Sequence, residues 1–93
     1  MNRMVLSAQL VERSATRYTP AGLMVCDFVL KHESQLTEAN QPRKVSMEIR
    51  AVAIGEIAQR LLTRDIGSDG MYAGFLTNQR NGRGIVFHVT EVE

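Results

Sequence analysis

Gly55-Glu56-Ile57-Ala58-Gln59-Arg60-Leu61-Leu62 breaks the pattern that governs the rest of this 93-residue chain. Ile57, Ala58, Leu61 and Leu62 recur at i, i+1, i+4 and i+5, the narrow apolar stripe of one short helix. Gly67 is expected to stop it. On both sides the period is two. From Lys44 to Ile54, Val45, Met47, Ile49, Ala51 and Ala53 alternate with Ser46, Glu48 and Arg50, so a third strand turns those polar residues away from the core at its start. After the helix, Met71 to Asn78 reads as a fourth strand, in which Gly74 marks a bulge or a close backbone approach. Tyr72 and Phe75 have opposite parity there, and Phe75 is assigned to the core. Asn81-Gly82 is a hairpin signal, and Gly84 to Glu93 forms a fifth strand.

Upstream, Arg17-Tyr18-Thr19-Pro20-Ala21-Gly22 is a turn in which the proline ring fixes one φ and the glycine accepts a positive one. It joins a first strand (Arg3 to Glu12, with Met4, Leu6, Ala8 and Leu10 on one face) to a second (Leu23 to Glu33, with Met24, Cys26, Phe28 and Leu30 on one face). The polar segment from Ser34 to Arg43 offers little to pack and reads as a long, mobile loop. The order is therefore β-β-β-α-β-β within a single domain, residues 1–93. An all-β chain with one short helix between strands three and four of a five-stranded Greek-key barrel is the plan of the OB-fold, which serves oligonucleotides and oligosaccharides.

Composition narrows the choice. At 44% hydrophobic, 23% charged and net charge +1, the chain has no overall basic signature, so an anion-binding surface has to come from local clustering. The lone Cys26 excludes an internal disulfide and a multi-cysteine zinc site. Met1-Asn2-Arg3 leads straight into a strand pattern, unlike a signal peptide, and runs such as Leu23-Met24-Val25-Cys26 are too short to span a bilayer. A cytoplasmic protein without a membrane partner is the expectation. His32 and His88 lack the carboxylate or cysteine spacing of a catalytic or metal site, so no enzyme, metal or cofactor is expected. Arg17 and Tyr18 set a cation and a flat ring at the mouth of a turn, a combination suited to single-stranded nucleic acid; Tyr18 reads either as a stacking ring or as one covering the barrel end. Val5 and Val11, with Leu23, Val25 and Val29, make the first two strands apolar on both faces and suggest a buried partner surface.

The chain resembles bacterial single-stranded DNA-binding proteins in Asn2, in Arg17 to Gly22, in Gly55-Glu56-Ile57-Ala58, and in Gly67-Ser68 followed by Gly74-Phe75-Leu76. Within that superfamily it is most similar to the small dimeric branch of replication restart. The similarity rests on Phe28-Val29-Leu30-Lys31-His32-Glu33-Ser34, on Asn81-Gly82 through Val86-Phe87-His88, and on a chain that stops after its fifth strand without an acidic-tipped tail. The resemblance implies a homodimer that binds single-stranded DNA, stimulates the replication-restart helicase and helps recruit other primosome proteins. It places DNA-binding residues at Arg80 and Arg83 on the last hairpin, at Arg43 and Lys44 at the end of the polar loop, and at Arg17 beside Tyr18. On the sheet face Lys31 and Arg50 join them, although Lys31 equally suits an ion pair with Glu48 across the sheet. Where the best-studied member has an aromatic on strand three and another in the preceding loop, this chain has Ser46 and Gln41, and it has no tryptophan. Binding is therefore expected to lean on phosphate contacts and to be strongly salt-sensitive. The alternatives are a helicase adaptor with weak DNA binding and a short stand-alone single-stranded DNA-binding protein.

Overall fold

The computed structural model describes residues 1–93. Its elements are β1 (Met4–Arg13), β2 (Arg17–Tyr18), β3 (Met24–Glu38), β4 (Gln41–Ile54), α1 (Glu56–Leu62), β5 (Asp69–Asn78) and β6 (Ile85–Val92). The sheet order is β1-β5-β6-β4-β3-β2, and an added β1–β3 pairing closes the barrel. β4 and β6 run parallel, with Ala51 opposite Phe87 and Val52 opposite His88; the other pairings are antiparallel. This is the expected OB-fold barrel with one short helix after its third long strand. The short β2 is an addition: Arg17 and Tyr18 pair with Val25 and Met24.

The largest departure from expectation lies at 34–43. This segment is a regular antiparallel ribbon that continues β3 and β4 in unbroken register from Val25↔Ile54 to Glu38↔Gln41. Ala39 and Asn40 form its turn, both at positive φ (51° and 64°), the two-residue geometry that matches strand twist. Polar residues hid it, because a two-stranded ribbon clear of the core satisfies its backbone by hydrogen bonding and needs little to pack against. The ribbon stretches the molecule to 50 Å along its long axis, with a radius of gyration of 14.1 Å against roughly 12 Å for a compact chain of this length. Outside the barrel, the inward-facing set of β4 loses its cover, and Met47 is 39% exposed.

The core holds 13 buried residues, among them Leu10, Cys26, Phe28, Leu30, Ala51, Ala58, Leu61, Tyr72 and Phe87. Phe75 is not one of them: Tyr72 is fully buried beside Phe28 and under the Arg64 guanidinium, while Phe75 faces outward at 38% exposure. Both faces of β5 are apolar (Tyr72 and Leu76; Met71, Ala73 and Phe75), so alternation did not discriminate. Register does, since Leu6 of the inward face of β1 lies opposite Tyr72. Gly74 marks the close approach expected of it. A Cβ there would overlap the His88 carbonyl oxygen, and the extra residue of the bulge, Thr90, sits on β6. Val25, expected on a partner surface, is buried (1% exposed) on the outer face of the sheet, where Arg17 of β2 pairs with it.

α1 ends at Leu62 with Thr63 as its cap, short of Gly67, whose N–H instead donates to the Leu10 carbonyl (2.6 Å). Arg13 supplies the helix terminus: its Nη1 donates to the carbonyls of Leu61 (2.9 Å) and Arg64 (2.7 Å), placing a cation at the negative end of the helix dipole. At the other edge Asn2 extends β1, donating through Nδ2 to the Leu76 carbonyl and accepting the Leu76 N–H at Oδ1. No helix is long and apolar enough to cross a membrane.

Candidate nucleic-acid interface

Strand pairing arranges the outer faces of β3, β4 and β6 into a floor, and two turns stand over it. The first turn is locked: Thr19 N–H donates to the Leu23 carbonyl (2.9 Å), Gly22 N–H to the Thr19 carbonyl (2.9 Å) and Leu23 N–H to Thr19 Oγ1 (3.1 Å). Gly22 takes φ 87°, closing a three-residue loop with Pro20 at its start. Opposite it, the 79–84 turn is tied by Gln79 N–H to the Gly84 carbonyl, Gly82 N–H to the Gln79 carbonyl and Arg83 N–H to Asn81 Oδ1, all within 2.8–2.9 Å. Between the turns lies a groove of about 470 Å³, lined by Tyr18, Arg80, Val52, Ile54 and His88. A second depression, holding Arg50 and Ser14, adjoins it through Asp27, Gln79 and Val86. An OB-fold binds oligonucleotides on this face and between such turns.

The eight residues expected to bind DNA separate by their neighbours. Arg80, Arg83, Lys44 and Arg50 are exposed and make no ion pair. Arg17 is committed: its Nε and Nη2 hold the two Asp27 carboxylate oxygens at 2.6 and 3.2 Å, and this hydrogen bond raises the guanidinium pKa. Its charge is balanced, and its effect is to pin β2 to β3. Tyr18 is 64% exposed at the rim of the groove, so of the two roles considered it has the exposure of a stacking ring and covers no barrel end. Lys31 lies opposite Glu48 in register but bonds Glu33 (3.3 Å), away from the groove. Arg43 pairs with Glu38 near the ribbon tip (3.2 Å). The structure thus brings Arg17, Tyr18 and Arg80 to one groove, Arg50 to its neighbour and Arg83 to the overhanging turn. It places Arg43 and Lys44 on the ribbon, and Lys31 at its base, where β3 still pairs with β1.

Sequence reasoning passed over His88 and Ile54, which face outward into this groove, and placed in the core Phe75, which stacks on His88 beside it. Parity alone held the signal for His88, since it alternates with Phe87 and Val89 of the core. Ser46 and Gln41, the positions at which the resemblance implied aromatics, are exposed and bring no ring. Burial pushes the Cys26 thiol pKa upward and keeps it inert inside the barrel.

Comparison with known proteins places the chain. A family model described as "another single-strand binding protein family" matches residues 2–91. The replication restart protein PriB of Bordetella pertussis is 42% identical over 80 residues, spanning 86% of this chain and 75% of that protein. The PriB of Nitrosomonas europaea is 34% identical over 91 residues, or 97% and 84% of the two chains. Among solved structures, PriB from Ralstonia solanacearum superposes with a TM-score of 0.91 at 36% identity, covering 100% of this chain and 96% of that one. The chain belongs to the PriB family of replication restart proteins, a branch of the single-strand binding protein family.

Proposed function

We propose that this protein binds single-stranded DNA during replication restart, captures the strand electrostatically with little sequence choice, and stimulates the restart helicase while other primosome proteins assemble. The observation that carries the reading is the groove between the two locked turns, with the unpaired Arg80 on its wall and the exposed Tyr18 ring at its rim. Cations for phosphate and a ring for a base face are the requirements of sequence-tolerant single-strand binding. Family membership supports the same assignment.

The active unit in this reading is a homodimer. From Met4 to Ala8, β1 pairs with β5 only, because β3 leaves it beyond Gln9↔Lys31, and His32 Nδ1 reaches across to the Ser7 carbonyl where the strands part. An open strand edge flanked by the exposed Val5 (53%) and Met71 (45%) suits pairing with a second copy. Two grooves on one dimer then raise avidity.

Fluorescence anisotropy of a labelled oligo(dT), at low and moderate salt, tests DNA binding: the expected result is saturable binding that weakens steeply with salt. Absence of binding at low salt would leave the adaptor reading, which the carboxylates paired with Arg17, Lys31 and Arg43 favour.

A further inference from the structure

The outer sheet face does not end at the groove. One row of residues crosses it from strand to strand: Phe75 of β5 opposite His88 of β6, His88 beside Val52 of β4, Val52 opposite Asp27 of β3, and Asp27 held by Arg17 of β2. At its far end the Phe75 and His88 rings are stacked, with centroids 4.8 Å apart and planes within 13°. A second trough of about 420 Å³ runs from this pair to α1. It shares Val52, Ile54 and His88 with the Tyr18–Arg80 groove, so the two form one continuous path. Arg60 stands at its distal end, exposed, with no carboxylate partner and a single long contact to the Val92 carbonyl (3.4 Å). Glu56 is the one acidic residue lining it.

We propose that single-stranded nucleic acid leaving the Tyr18–Arg80 groove continues over this trough, with a base stacked on the Phe75–His88 pair and the next phosphate met by Arg60. The inference rests on the DNA-binding reading given above. Three observations carry it. The path is continuous with the groove. Its floor is apolar (Val52, Ile54) and its two ends are marked by unpaired arginines, Arg80 and Arg60, which complement a polyanion that also carries flat apolar bases. The ring pair is already stacked, so a base extends an ordered stack without the cost of fixing a mobile side chain. It supplies a platform in a chain that lacks aromatics at Ser46 and Gln41 and has no tryptophan.

The absence of tryptophan makes a direct test simple. Phe75→Trp introduces a single tryptophan, excited selectively over the two tyrosines, and titration with oligo(dT) is expected to quench it at saturation. Phe75→Ala and Phe75→Leu are expected to weaken oligo(dT) binding by about 5- to 100-fold, with Phe75→Tyr close to wild type. Leucine keeps apolar bulk without a ring, and thermal melts of each variant verify the fold. An unquenched Phe75→Trp variant at saturation overturns the proposal. So does unchanged affinity in Phe75→Ala and Phe75→Leu while Arg80→Glu/Arg83→Glu loses binding. Loss of helicase binding alone in these Phe75 variants would overturn it in favour of a protein-docking face. Wild-type protein that fails to bind oligo(dT) at low salt would remove the DNA-binding reading itself, a result separable from these.

Discussion

The barrel end with its two locked turns and the β3–β4 ribbon both carry cationic side chains on exposed surface, yet they present them differently. At the barrel end Arg80 and Arg83 ride on a turn fixed by its own hydrogen bonds and have no acidic partner. On the ribbon Arg43 faces Glu38, at its base Lys31 bonds Glu33, and the arm beyond stands on cross-strand backbone pairing away from the core. Counting cations would rank the two regions alike. Carboxylate neighbours separate Arg80 and Arg83 from Arg43, because a phosphate competing for Arg43 has to displace a partner already in place, whereas one approaching Arg80 displaces only water. Arg17, held by Asp27, and the unpaired Lys44 are the exceptions, one in each region.

The strongest test of that contrast is charge reversal. Arg80→Glu with Arg83→Glu is expected to reduce oligo(dT) affinity by about 100-fold and to flatten the log–log salt slope by about 1.4, the loss of two single-strand phosphate contacts. Arg43→Glu is expected to change affinity by less than about threefold. Equal losses, read by anisotropy across a salt series, would erase the distinction between the regions. The barrel also differs from the ribbon in tolerance to added volume. Gly74→Ala drives a methyl group into the His88 carbonyl and is expected to cost about 2 kcal/mol in denaturant unfolding. A smaller effect concerns Tyr72, whose hydroxyl is buried without a hydrogen-bond partner. Tyr72→Phe removes that orphan and is expected to stabilise the barrel by about 1 kcal/mol. The smallest change is at the ribbon tip. Ala39→Gly relieves an alanine held at φ 51° and is expected to slow amide exchange along 34–43 while moving the global melting temperature by less than about 2 °C. A large shift in that temperature would mean that the ribbon and barrel unfold as one unit.

What the sequence disclosed follows the physics of each element. The barrel was legible because Met4 to Leu10, Met24 to Leu30 and the α1 stripe each set apolar residues against a buried face. The ribbon was not legible, since its turn is Ala39-Asn40 without the glycine that usually marks such geometry. Phe75 and Tyr72 were exchanged because both faces of β5 are apolar, and only the register with Leu6 tells them apart. At the candidate site the residue types were readable and their partners were not. Nothing local to Arg17 announces Asp27, ten positions on, as its bidentate partner.

The pairing of β1 with β5 has a consequence for synthesis. Met4 meets Gly74, and Asn2 bonds Leu76, 74 positions later. At about 5–20 residues per second, the first strand to leave the ribosome waits several seconds for the neighbour that covers that flank. During that wait Met4, Leu6 and Ala8 form an apolar stripe without its permanent cover, so the burial of the first strand is timed by the synthesis of the last third of the chain.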